Sequence, residues 1–158
     1  TEPIVPADMA AYDRITLGVE KQADGKTAFV SVMPVPVSMD LLRRGQERFN
    51  VTCSPCHGRS GYGDGMVARR AAEMQAAGAD TAAGWVPPLS YHTDEVRNRP
   101  VGHLYNTITN GIRTMPAHGR QVSVLDRWAI VAYIKALERS QNAKPGDVPD
   151  NQQSLLAK

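Results

Sequence analysis

The sequence predicts a mostly α-helical domain preceded by an extended arm that carries a β-hairpin. Three observations support this. Apolar residues recur at spacings of three and four within 39–56 and 123–140, as helices with one buried face require. An Asp24-Gly25 pair lies between two short alternating stretches, which favours the positive-φ turn of a tight hairpin. Thirteen glycines and eleven prolines, against two Phe and two Trp, mean that irregular backbone fills much of the chain and that a core of side chains alone would be thin.

The arm covers residues 1–38. Pro3 and Pro6 interrupt its start, and "ITLGVEKQADGKTAFVSV" then puts Ile15, Leu17, Val30 and Val32 on the hairpin. A lone two-stranded hairpin is marginal in water, so these four are expected to rest on the core or on a partner. "MPVPV", 33–37, runs extended because each proline biases the residue before it away from helix.

The main domain covers 39–140. Its first helix is expected from Met39 to Cys56, with Ser38 as N-cap and Asp40 at the positive helix start. Leu41, Leu42, Gly45, Phe49 and Thr52 or Cys53 make its buried face. "GRSGYGDG", 58–65, is a loop, "MVARRAAEMQAAGA" is helix-prone, and "DTAAGWVPPLS" is irregular. A helix over 100–111 has Pro100 in its first turn and Gly111 past its end. The strongest helix is "SVLDRWAIVAYIKALERS": Ser123 and Asp126 read as a capping box, and Leu125, Trp128, Ile130, Val131, Ile134 and Leu137 supply its apolar side. The tail, 141–158, is polar and expected to be mobile.

The formal charge of +2 gives no basis for binding nucleic acid, which needs a clustered cationic excess. Residues 1–40 carry three basic and six acidic groups, whereas 41–140 carry thirteen and eight, so arm and core differ in sign. No stretch approaches the roughly 18–20 apolar residues of a membrane span. An export signal is also not visible and is expected to have been cleaved.

Both cysteines lie in "CSPCHG", residues 53–58. A thioredoxin-like dithiol would follow a strand in a βαβ setting, but here a helix precedes it. A structural zinc site takes four ligands, and no further set at zinc spacing is present. A plain disulfide leaves His57 without a reason. Covalent haem attachment accounts for all three residues: on one helical turn Cys53 and Cys56 reach the two vinyl groups while the His57 imidazole points at the iron. Pro55 is expected to distort that turn at Ser54. One covalently attached haem c leaves no free thiol and implies maturation outside the cytoplasm.

The group opposite His57 decides between electron transfer and chemistry on a bound molecule. Met115, in "NGIRTMPAHGR", is the leading candidate, because it follows a helix ended by Gly111 and precedes Pro116. His118 is the rival. Met9, Met33, Met39, Met66 and Met74 read as packing residues, and His92 and His103 as surface or supporting groups. A His57/Met115 pair leaves no position for substrate and favours a one-electron carrier. An open position would instead indicate a peroxidase or gas sensor.

With these residues in view, the chain resembles a class I c-type cytochrome over about 39–140, through "CSPCHG", Gly45 and Phe49 on the first helix, and Ile130 with Tyr133 on the last. The resemblance implies a class I cytochrome c fold in which the terminal helices cross close to the haem. It also implies that a carbonyl in "PPLS", assigned to Pro88, accepts the Nδ1 hydrogen of His57. "RGQERFNVTCSPCHGRSGYGDGMVARR" and "PVGHLYNTITNGIRTMPAHGRQVSVLDRWAIVAYIKALERSQ" are more narrowly similar to the monohaem cytochrome c subunit of bacterial alternative complex III, from which this sequence departs by its longer "AAEMQAAGADTAAGWV". That resemblance implies an exported subunit, periplasmic or on the outer face of the cytoplasmic membrane. Its partners would be other cytochrome and membrane subunits of a quinol-oxidising complex, and a soluble carrier or terminal oxidase would receive its electrons. Thr1 stands where several subunits of that family carry a lipidated cysteine, so a lipid anchor is not supported by the sequence. Tyr62, Trp85 and Tyr105 are expected to line the pocket or donate to propionates, and Arg113 to act beside the ligand loop.

Overall fold

Two helices distant in sequence, α2 (Met39–Thr52) and α7 (Val124–Gln141), cross in backbone contact. Gly45 is the contact point in this computed structural model: a Cβ there would overlap the carbonyl oxygen of Ala129. The absent side chain lets the two backbones approach at a cost of about 1 kcal/mol in helix propensity relative to alanine. One turn further on, Phe49 is fully buried and packs against the Tyr133 ring at 5.4 Å between centroids. Beside the crossing, Asp126 pairs with Arg44 across the two helices.

The structure describes residues 5–79 and 85–157. Pro3 of the arm, and residues 80–84 of the stretch expected to be irregular, lie outside the described residues. Within them the chain runs α1 (Met9–Tyr12), one π-helical turn (Asp13–Leu17), β1 (Val19–Lys21), β2 (Thr27–Phe29), α2, α3 (Ser54–His57), α4 (Met66–Ala76), α5 (Asp94–Arg97), α6 (Val101–Asn110) and α7. The fold is mostly helical, with one antiparallel pair of strands in which Val19 faces Phe29 and Lys21 faces Thr27.

The expected first helix is interrupted. Cys53 stands at φ −107° between α2 and α3, with Pro55 just after it. Proline lacks the N–H that continues a helix and its ring collides with the carbonyl four residues back, so the distortion expected at Ser54 falls one residue earlier. Helix α6 starts one residue after Pro100, which caps it. On α7, Ser123 Oγ accepts from the Asp126 N–H at 3.2 Å, while the Asp126 carboxylate turns to Arg44. The tail is wound into short 3₁₀ turns at Pro145–Asp147 and Asp150–Ala157, and Arg139 pairs with Asp147.

The arm is docked on its own core. Trp128 Nε1 donates to the Ile15 carbonyl at 2.6 Å and the Tyr105 hydroxyl to the Thr16 carbonyl at 3.0 Å. Val30 donates to Gly18 O and accepts from Gly102 N. Gly102 admits this strap because a Cβ there would overlap Gly18 O and come within 2.7 Å of Val30 N. The hairpin is shorter than the alternation suggested: Ile15 and Leu17 belong to the π turn. Val30 is 1% exposed, whereas Leu17 is 49% and Val32 70% exposed, so two of the four expected contacts face outward.

Alanine at position 45 would gain about 1 kcal/mol of helix propensity and lose more by forcing α2 from α7. Denaturant unfolding of haem-loaded Gly45→Ala should show a net loss of about 2 kcal/mol.

Candidate haem-binding site

The α2–α3 break presents the attachment turn as a rigid unit. Cys53 N donates to Phe49 O at 2.8 Å, His57 N to Cys53 O at 2.9 Å and Gly58 N to Ser54 O at 2.8 Å. Ser54 Oγ donates back to Asn50 O at 2.7 Å. The following loop returns over the turn, with Gly63 N on His57 O and Gly65 N on Cys56 O. The carbonyls of Cys53, Ser54, Cys56 and His57 are therefore satisfied.

Cys53, Cys56 and His57 line one cavity of about 270 Å³. Leu104 and Ile108 of α6 and Ile134 of α7 supply aliphatic lining, and Pro87, Pro88 and Leu89 another part of the wall. Met115 and His118 border the same cavity. The ligand loop is held at both ends. Ile112 and Met115 exchange backbone hydrogen bonds at 3.1 and 2.9 Å, while His118 N and Gly119 N donate to Ile108 O and Thr109 O. Arg113 sits at the loop tip with φ 52°, a left-handed conformation that a non-glycine residue adopts at some cost.

Burial pushes the Cys53 thiol up to about 12, with Cys56 adding to it. Burial, and then the charge of His118, lowers His57 to about 4. Two protonated thiols do not suit a dithiol redox centre, which works through a stabilised thiolate. A neutral imidazole is the form that ligates a metal. Among the described residues no group of three or more His, Cys, Asp or Glu could hold a metal ion.

The donor set fits a haem c: two free thiols beside a neutral imidazole, a thioether and a second imidazole on the ligand loop, and aliphatic lining. Trp85 Nε1 is buried with no hydrogen-bond partner among the described residues. Trp85, Arg99 and Arg113 all line the cavity, so donors for the two carboxylates of such a group are at hand.

Of the residues expected at this site, Cys53, Cys56, His57, Pro88, Trp85, Arg113 and Met115 come together. Tyr62 and Tyr105 do not. Tyr62 is half-exposed, lies tilted against the His92 ring and donates to Gln141 Oε1 at 3.0 Å. Tyr105 is wholly buried against Trp128, because its hydroxyl is taken by the arm. The bond expected from His57 Nδ1 to the Pro88 carbonyl is not formed: that nitrogen is buried with no partner among the described residues, and the carbonyl closes on Gly63, where a Cβ would collide with it.

Sequence reasoning missed Tyr91, which lies face to face with the His57 ring at 4.9 Å and 14°. The only local signal was an aromatic directly after "PPLS". Leu104 and Ile108 were visible as one face of a helix but not as lining of this cavity.

Residues 40–134 match the family model described as cytochrome C oxidase, cbb3-type, subunit III. Among solved structures, a chain of the Kuenenia stuttgartiensis reducing HAO-like protein complex Kustc0457/Kustc0458 is similar with a TM-score of 0.52 at 18% identity, over 71% of this chain and 50% of that one. The likeness concerns the fold, and this chain spans about half the length of that relative. No curated protein matches the chain. The matched span contains the attachment turn, the ligand loop and both halves of the Gly45 crossing, and on that footing the chain belongs to the cbb3-type subunit III family, a class I c-type cytochrome domain whose chemistry is haem-based electron transfer.

Proposed function

We propose that this chain is a one-electron carrier with a single haem c joined to Cys53 and Cys56 and ligated by His57 and Met115. We place it as a subunit of a quinol-oxidising respiratory assembly of the alternative complex III type, on the outer face of the bacterial cytoplasmic membrane. The observation that carries the reading is that the attachment turn and the Met115 loop border one largely aliphatic cavity.

A haem held there takes up and releases one electron at its iron. The residues around it do the rest. Cys53 and Cys56 fix its position, and the hydrogen-bonded turn keeps His57 in place. Leu104, Ile108 and Ile134 exclude water, which limits solvent rearrangement when the charge changes. The doubly bonded Ile112–Met115 loop presents a thioether, which as a ligand of the iron would raise the potential relative to a second imidazole. Trp85, Arg99 and Arg113 are the donors available to the propionates, and Arg113 lies beside the ligand loop.

Two observations support a bound subunit. The family description names a subunit of an oxidase, and the arm leaves apolar side chains outward, with Met9 71%, Val32 70% and Val37 55% exposed, as surfaces that meet another chain do. The arm's docking on α6 and α7 favours a second reading, a free periplasmic monohaem shuttle. Native membranes separate the two: the haem protein should remain in a large assembly through moderate salt, and release as a monomer would leave the shuttle.

Two further outcomes are expected. Intact mass should exceed the polypeptide by one haem, and neither cysteine should react with iodoacetamide after full denaturation, because both thiols are consumed as thioethers. Met115→Ala should abolish the weak sulfur-to-iron charge-transfer band of the ferric protein and allow rapid CO binding on reduction. His118→Ala should keep the band and remain inert to CO; a wild-type ferric protein that lacks the band, with rapid CO binding opened by His118→Ala and not by Met115→Ala, would make His118 the ligand.

A further inference from the structure

Among the described residues no group hydrogen-bonds the imidazole of His57 on its Nδ1 side, yet the ring does not stand free. Tyr91 covers one face at 4.9 Å between centroids and 14° between planes, within the range where aromatic pairs attract beyond their buried area. Tyr91 is itself held on several sides. Its backbone N–H donates to Gly61 O at 2.8 Å. Its ring edge occupies the space where a Gly61 side chain would be, since a Cβ there would lie 2.6 Å from Tyr91 Cδ2. Gly61 also has φ 79°, so glycine is required at that position twice over. Phe49 closes the remaining side at 6.0 Å, and Phe49 rests on Tyr133 at 5.4 Å.

We infer that Tyr91 is a positioning residue for the proximal histidine: its ring sets the rotation of the His57 imidazole by face-to-face contact, the task expected of a carbonyl in the "PPLS" loop. The inference rests on His57 being an axial ligand. Four aromatic rings, Tyr133, Phe49, Tyr91 and His57, then run in contact from the α2–α7 crossing to the attachment turn. A ligating histidine needs its ring plane fixed as well as its nitrogen placed, and stacking on a clamped ring fixes the plane.

The test is NMR of the haem-loaded protein, in which the hyperfine-shifted haem methyl resonances of the ferric state report the imidazole plane. Tyr91→Phe should keep the wild-type pattern, because the ring and not the hydroxyl is in contact. Tyr91→Leu should redistribute the methyl shifts while retaining low-spin haem at full covalent mass. An unchanged pattern in a folded Tyr91→Leu would overturn the inference and leave Tyr91 as core packing. Should that variant fail to fold, the reduced wild-type protein decides: cross-relaxation between the Tyr91 ring and the His57 ring protons is expected, and its absence overturns the inference. A wild-type protein without low-spin covalent haem would instead remove the ligand assignment, and this inference with it.

Discussion

The close approach of α2 to α7 at Gly45 is the constraint on which the rest of the molecule depends. Backbone contact there is possible only without a side chain, because the space is filled by the Ala129 carbonyl. Once the two helices are at that distance, Phe49 and Tyr133 meet, and the C-terminal end of α2 delivers Cys53 to the cavity wall while α7 delivers Ile134. A wider crossing would separate the attachment turn from the helix that closes the cavity. Packed interiors do not deform gradually, so the glycine acts on the site although no atom of it lies there.

A second layer of order comes from the arm. Its carbonyls at Ile15 and Thr16 satisfy Trp128 Nε1 and the Tyr105 hydroxyl, two polar groups that burial would otherwise strand. Arg127, itself buried, lies over the Tyr105 ring at 4.7 Å and pairs with the Thr109 hydroxyl. Thr109 O in turn holds the exit of the ligand loop through Gly119 N. The strap and the Met115 loop thus share one set of neighbours. Lys135 makes a similar join further along α7, bonding Glu138 of the same helix at 2.8 Å and the Arg97 carbonyl at 3.0 Å, so it ties α7 to the end of α5.

The two sides of the cavity are held by different means. The attachment turn is stiffened by local hydrogen bonds and by the glycine loop folded over it. The ligand loop depends on a two-residue tip with Arg113 in the left-handed region. Glycine would suit that position better on conformational grounds alone, and Arg113 lines the cavity instead. Conformational cost of this kind is tolerated where a side chain serves a site.

Covalent spacing and helical period were enough to determine much of this protein from its sequence. The attachment turn, the buried faces of α2 and α7, the hairpin about Asp24-Gly25 and the position of the Met115 loop all follow from residues near one another in the chain. Gly45 was legible because a glycine on the apolar face of a helix costs helix stability and marks a place where another backbone comes close. Contacts between distant residues were not legible in this way. Tyr105 had the right chemistry for a propionate donor, but the arm, 89 residues away in sequence, takes its hydroxyl. Tyr62 is drawn off by Gln141. Which ring lies against His57 was settled by the packing of Gly61, Phe49 and Tyr91 around one another, since a ring's final position depends on every surface that competes for it, and those surfaces meet only when the chain has folded.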